Sequence, residues 1–199
     1  MEERAQRIVD AALELAEEGG FQAVRLRDVA ARSGVAFGTL YARFNSKEDI
    51  LIAALEQETG KFRLMMENAP SIGANPVERA RNFFTILSQT LFTRTGFARA
   101  VLRSVASGVP DVADKVIRYQ DTISDLIIAA LRGGNEASPS LSTSDAEQLQ
   151  FIARMMQNIW FAELISWMSE VSQEDEVIER TVRGATLMLQ AAGFDRECP

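Results

Sequence analysis

The sequence predicts an all-α protein, with a small N-terminal three-helix unit and a larger C-terminal helical bundle. Three observations carry that reading. Apolar residues recur at helical spacing along almost the whole chain, and no segment alternates in the manner of a strand. Glycine, proline and asparagine punctuate the chain at helix-length intervals. No run approaches the ~18 consecutive apolar residues that a membrane-spanning helix needs.

The first helix is expected over residues 3–18, where Ile8, Ala12, Leu15 and Ala16 form one stripe and Glu14, Glu17 and Glu18 fall outside it. Gly19-Gly20 then supplies the left-handed stop. A short second stripe of Leu26, Val29, Ala30 and Ser33 ends at Gly34, and Leu40 and Phe44 lie four apart on a third helix of about two turns. Ser46 and Asp49 resemble a capping box that opens a helix through Ile50, Leu51, Ala54 and Leu55. Beyond the turn-rich segment 68–76, Asn75, Pro76 and Glu78 mark a clean helix start. Helices are expected at 76–93, 96–107, 111–132, 145–170 and 174–192, separated by Gly108-Val109-Pro110 and by the stretch from Gly133 to Thr143.

Composition narrows the chemistry. The chain has 199 residues, 21 Lys+Arg, 28 Asp+Glu, one Cys and no His. At 47% hydrophobic and 25% charged it has the make-up of a soluble globular protein. Without histidine and with one thiol, a zinc site, a Ser-His-Asp triad and a Cys-His pair are excluded within one chain. No paired carboxylates or phosphate loop stand out, so an enzyme is not expected, and neither is a metal or cofactor. The acidic N-terminus does not read as a signal peptide.

The formal charge of −7 argues against a chain coated in nucleic acid, but it is unevenly spread. Residues 1–20 carry −4, residues 48–199 carry −7, and residues 21–47, with Arg25, Arg27, Arg32, Arg43 and Lys47 against Asp28, carry +4. A phosphate backbone meets the local patch, within about 8–10 Å at ordinary salt, and not the bulk charge.

That basic island coincides with a tight corner. Gly34-Val35-Ala36 joins the second and third helices, Ala30 is small where they approach, and Val29, Val35 and Leu40 supply a shared core. This is helix-turn-helix spacing, in which the later helix enters the major groove.

The longer string Phe21-x-Ala23-Val24, Arg27-Asp28-Val29-Ala30, Gly34 to Phe44 and Ser46-Lys47-Glu48 resembles the N-terminal domain of the TetR family of transcriptional regulators. The resemblance covers about residues 5–55. Beyond residue 60 it extends to length and helix order alone. It implies a helix-turn-helix DNA-binding domain at 1–47 and an effector-binding and dimerisation domain at 48–199, linked by a helix from 47 to about 67.

Within that frame Leu40 and Phe44 face inward, and Phe37, Gly38, Thr39, Tyr41, Ala42 and Arg43 are left for the groove. Gly38 admits close backbone approach. Thr39 and Tyr41 offer hydroxyls, and Arg43 either reads a guanine or clamps a phosphate. Lys47 and the N-terminus of its helix meet a phosphate, while Arg25 and Arg27 sit where the second helix crosses the backbone. A buried Tyr41, and a Lys47 ion-paired with Glu48 or Asp49, are the competing structural readings. Three positions depart from the family pattern. Arg25 and Ala36 stand where capping hydroxyls are usual, and Phe37 stands where a polar residue is frequent and is expected to meet a thymine methyl.

In the C-terminal part, Phe151 to Met168 is apolar around most of its helix, as either a central bundle helix or one half of a dimer interface requires. The family resemblance favours the interface and implies Trp160, Leu164, Trp167, Gly184, Ala185 and Met188 in it. The run from Ile159 to Met168 also looks like that of the branch that represses sterol and lipid catabolism. A cluster of Phe62, Met65, Met66, Phe83, Phe84, Leu87, Phe92 and Phe97 is either plain core or the wall of an apolar cavity. The ligand-binding expectation rests on Met65, Phe83, Phe84, Leu87, Phe97, Gln120, Met155 and Asn158, with Glu163 as a further polar group.

The resulting expectation is a homodimeric, cytoplasmic, nucleoid-associated repressor of bacterial type. It is released from a palindromic double-stranded DNA operator by a small apolar or acyl-type effector, with no membrane partner. The alternative is a helical lipid-binding or carrier protein without specific DNA binding.

Overall fold

The computed structural model describes residues 2–68, 72–133 and 142–194. Among these the chain is helical, with no strand. It runs through α1 (Glu2–Ala23), α2 (Leu26–Ser33), α3 (Phe37–Tyr41), α4 (Lys47–Glu67), α5 (Pro76–Phe92), α6 (Thr95–Val105), α7 (Ala113–Arg132), α8 (Thr143–Met168) and α9 (Glu174–Ala192), with a single 3-10 turn, Pro110–Val112, before α7. Parts of the turn-rich segments expected at 68–76 and 133–143, namely 69–71 and 134–141, lie outside the described residues.

Helix starts and stops follow local chemistry. The break expected at Gly19-Gly20 is present as an interruption inside α1: Gly20 takes φ 63°, and one further helical turn runs on to Ala23. Ser46 Oγ accepts from the Asp49 N–H at 3.1 Å, and Asp49 Oδ2 accepts from the Asn45 N–H at 3.1 Å. At α5 the Glu78 N–H donates to Asn75 Oδ1 at 2.9 Å while Glu78 Oε2 accepts from the Ala74 N–H at 2.8 Å. Both arrangements satisfy N–H groups that the helix itself leaves unpaired.

The chain divides into two compact units, residues 1–60 with 91–119, and residues 61–90 with 120–199. The first is larger than the 1–47 segment expected to read DNA, because α6 docks on α1. Ile8, Ala12, Leu15 and Ala16, with Val29, Leu40, Phe44, Ile50 and Leu51, share one core with Phe97, Ala100 and Val101. The Phe97 N–H donates to Glu17 Oε2 at 3.0 Å. Asp49 is buried and is neutralised by an ion pair with Lys115 of α7.

The second unit buries an aromatic row. Phe62 and Phe83 lie 5.9 Å apart edge-on, Phe83 and Phe84 5.4 Å, and Phe84 and Trp160 6.4 Å. The Trp160 indole N–H donates to buried Ser88 Oγ at 2.9 Å, and the Ser124 hydroxyl to Gln157 Oε1 at 2.9 Å. Arg79 closes the end of α7, donating through Nε and Nη2 to the Leu131 carbonyl at 2.9 and 2.7 Å. α8 and α9 pack directly on one another, and Arg180 bridges Glu163 at 3.4 Å.

The α1–α6 contact has no slack. A Cβ at Gly96 would stand 2.6 Å from the Ala16 carbonyl oxygen and 2.7 Å from that of Glu17, which are backbone atoms and cannot rotate away. Gly96→Ala is therefore expected to cost about 1–3 kcal/mol, the range for overpacking a tight contact. Urea denaturation reads this directly, and an unchanged midpoint would refute the tight docking.

Candidate nucleic-acid interface

The reading head is built around a Schellman turn. Gly34 takes φ 64°, and its N–H bonds back to the end of α2, while the Val35 N–H donates to the Ala30 carbonyl at 3.2 Å. α3 then starts without a side-chain cap. The Thr39 and Leu40 N–H groups donate to the Ala36 carbonyl at 2.9 and 3.1 Å. Arg25 likewise precedes α2 in extended conformation with no capping bond. Both departures from the capping pattern are thus real vacancies in the hydrogen bonding of these helix ends. Asp28 in the first turn of α2 complements that helix dipole in part.

On α3 the two faces separate cleanly. Leu40 is 0% exposed and Phe44 is buried, whereas Phe37 is 41% and Tyr41 50% exposed. Gly38, Thr39, Ala42 and Arg43 are exposed as well. The rings of Phe37 and Tyr41 meet edge-on at 4.9 Å, so Phe37 props the tyrosine from one turn earlier. The alternative of a buried Tyr41 is not what the structure has.

The five cations of the basic island fall into two sets. Arg32 is turned back to α1, 2.6 Å from Glu18 and 3.9 Å from Glu14. Its hydrogen bond holds the Glu18 carboxyl below the usual range and raises the guanidinium. Arg25, Arg27 and Arg43 are exposed, and none of them pairs with a carboxylate among the described residues.

Lys47 is not ion-paired with Glu48 or Asp49. Its ammonium lies 3.6 Å from the centre of the Phe21 ring and donates to the Phe21 carbonyl at 3.3 Å. Partial desolvation, chiefly, pushes its pKa down. Glu48 opposes that shift, and nearby Arg103 and Arg25 add to it. Shallow hollows on either side of α2 are lined by Arg25, Asp28 and Arg32, and by Arg27, Val35 and Phe37.

The ligand-binding candidates are not brought together as a set. Phe83, Phe84 and Leu87 are buried in the second unit, Met155 and Gln120 are half-buried there, and Met65 and Asn158 are exposed. Phe97 lies apart from these: it belongs to the first unit's core, beneath the Arg94 guanidinium, because α6 is held to α1. Glu163 is spent on Arg180.

Of the interface candidates, Trp160, Leu164, Trp167 and Ala185 are buried within the single chain, and Met188 is half-buried. Gly184 receives Ile159 of α8, whose Cδ1 would stand 2.9 Å from an added Cβ, so its small size serves the α8–α9 contact inside one subunit. The large exposed apolar side chains on these two helices, among the described residues, are Phe151 and Leu187.

A short helix with one buried and one exposed face, set behind a tight glycine turn and flanked by unpaired cations, defines a helix-turn-helix DNA-binding head. Residues 8–54 match the model of bacterial regulatory proteins, tetR family. The chain is 30% identical over 191 residues to the HTH-type transcriptional repressor KstR of Rhodococcus jostii, spanning 94% of this chain and 83% of that one. The chain therefore belongs to the TetR family of transcriptional regulators. A TetR transcriptional regulator from Rhodococcus sp. RHA1 superposes with a TM-score of 0.81 at 22% identity, over 94% of this chain and 96% of that one. FadR of Bacillus subtilis, crystallised in complex with stearoyl-CoA, superposes with a TM-score of 0.61 at 22% identity, over 90% and 98% of the two chains. Relatives named as repressors, not enzymes, agree with the lack of catalytic constellations in the sequence.

Two outcomes follow for the head. The backbone at Ala36 is extended, with ψ 136°, as an N-cap requires. Ala36→Ser should therefore supply the missing cap and raise stability by about 0.5–1 kcal/mol, read by chemical denaturation; a loss of stability would refute the vacancy.

Lys47 carries a folded-state pKa below its unfolded value. The unfolded chain binds more protons in that interval, so stability rises as pH climbs from the folded pKa towards ordinary lysine values. Lys47→Met removes the desolvated charge and should leave the melting temperature unchanged or higher at pH 7. It should also weaken duplex binding, which separates a DNA-directed lysine from a structural one. A lower melting temperature with unchanged binding would refute it.

Proposed function

We propose that this chain is a homodimeric, ligand-responsive repressor that binds a palindromic operator and is released from it by an apolar or acyl-type effector. One observation carries the DNA half: the exposed row Phe37, Gly38, Thr39, Tyr41 and Arg43 lies on a helix whose reverse face is fully buried. Arg25, Arg27 and Lys47 flank it as backbone clamps. Phosphate contacts position such a head and the row on α3 reads base edges. Such work places the protein in the cytoplasm of its cell, with the nucleoid as its partner.

A palindrome asks for two heads about 34 Å apart, which a twofold dimer provides. The exposed Phe151 and Leu187, with half-buried Met188, are the surface proposed for that pairing in place of the buried tryptophans. The acyl reading is supported by the Phe- and Met-rich interior of the second unit and by the stearoyl-CoA held by the B. subtilis neighbour. Phe83, Phe84, Leu87 and Met155 are the proposed wall for the apolar tail.

The test uses duplexes enriched from a random pool by the protein itself, followed by fluorescence anisotropy. Affinity should fall steeply with salt, as a lipid carrier's would not. Titration with lauroyl- and stearoyl-CoA should then lower operator affinity by up to about 150-fold, the effect of a coupling near 3 kcal/mol. Salt-independent binding would overturn the DNA half. No response to either acyl-CoA would overturn the acyl effector.

A further inference from the structure

The ring of Phe21 carries a second cation that no motif of the reading head includes. The Arg103 guanidinium carbon of α6 lies 4.9 Å from the same ring centre that lies 3.6 Å from the Lys47 ammonium. The two charges are thus no more than about 8.5 Å apart. Arg103 is exposed and pairs with no carboxylate among the described residues, and neither does Lys47. Glu48 is the carboxylate that acts on Lys47, and Arg25 is a third cation near enough to oppose its charge. Unpaired like charges gathered on one aromatic ring repel one another, and an anion between them removes that repulsion.

We propose that Arg103 is a DNA-backbone contact: with Lys47 and Phe21 it forms a phosphate clamp that extends the reading head onto α6. The inference rests on the DNA-binding reading above. A duplex strand offers one charge per ~3.4 Å of axis, so two cations no more than about 8.5 Å apart can serve the same or adjacent phosphates of one strand. The Arg103 guanidinium lies over Phe21 on an exposed side chain, and its N–H groups can donate to a phosphate in the bidentate manner. The Lys47 ammonium, fixed by the Phe21 carbonyl at 3.3 Å, keeps donors for the neighbouring oxygen.

The experiment measures binding of the full chain to a mixed-sequence 25-bp duplex by anisotropy between 50 and 300 mM salt, for wild type, Arg103→Ala, Arg103→Lys and Lys47→Ala, with circular dichroism as a check of fold. Arg103→Ala should lower the salt slope by about 0.9 for each head engaged and weaken binding about 5- to 10-fold at 0.1 M salt. Arg103→Lys should keep most of the slope. A slope and affinity unchanged in folded Arg103→Ala, while Lys47→Ala weakens binding, would overturn the clamp and leave the DNA-binding reading standing. Wild type without salt-dependent binding would overturn that reading instead. Inorganic phosphate raising the melting temperature of wild type but not of Arg103→Ala, with duplex binding unchanged, would make this a free-anion site and overturn the clamp. If Arg103→Ala unfolds, the Lys variant and Arg103→Gln carry the same comparison.

Discussion

α3 spans five residues, Phe37–Tyr41, which is far below the length at which an isolated helix persists in water. It also lacks a capping side chain. Its existence therefore depends on burial of Leu40, one full turn before buried Phe44, against Val29, Val35 and Ile50. Removing that apolar anchor would dissolve the helix along with every side chain it displays. The exposed row from Phe37 to Arg43 is thus positioned by a residue that touches no ligand. The Phe37–Tyr41 edge contact adds a local stabilisation on the outer face.

The electrostatic design follows the same division. A chain of net charge −7 approaches DNA with repulsion everywhere except at the head. There, Arg32 is spent on Glu18 and Glu14 of α1, which fastens α2 and leaves Arg25, Arg27, Arg43 and Lys47 unpaired. Among the described residues, none of these four cations is offset by an intrachain carboxylate partner, and partial desolvation on Phe21 lowers the Lys47 pKa. Under the proposed DNA-binding reading, the anion for these cations is the phosphate backbone.

Much of this was legible in the sequence, because it is written in local chemistry. Gly34 needs positive φ, Asn75-Pro76 with Glu78 starts α5, and the Leu40–Phe44 spacing assigns the inner face of α3. What was not legible depends on partners distant along the chain. Phe97 looks like any aromatic in a Phe- and Met-rich stretch until Gly96 is seen against the carbonyls of Ala16 and Glu17, which puts it in the head's own core. Asp49 reads as a helix-start acid, but its burial requires Lys115. Arg103 carries no local signal, since only tertiary packing sets it over Phe21. On α8, a helix apolar around most of its circumference is equally compatible with intrachain and interchain burial. Within the single chain Trp160 and Trp167 are buried and Phe151 is exposed.

The placement of α6 has a mechanical consequence. Gly96 meets two backbone carbonyls with no room for a methyl group, and the Glu17 carboxylate holds the Phe97 N–H just beyond it. At the other end of the helix Arg103 and Lys47 share the Phe21 ring at the end of α1. Close-packed contacts of this kind transmit displacement without absorbing it. α6 cannot slide along α1 without losing the Glu17 bond, and it cannot tilt without lifting Arg103 from the ring beside Lys47. Whatever shifts α6 therefore acts on α1 and on the lysine at the start of α4 together. Under the ligand-responsive reading proposed above, that makes α6 part of the head, although the sequence places it among the helices of the bundle.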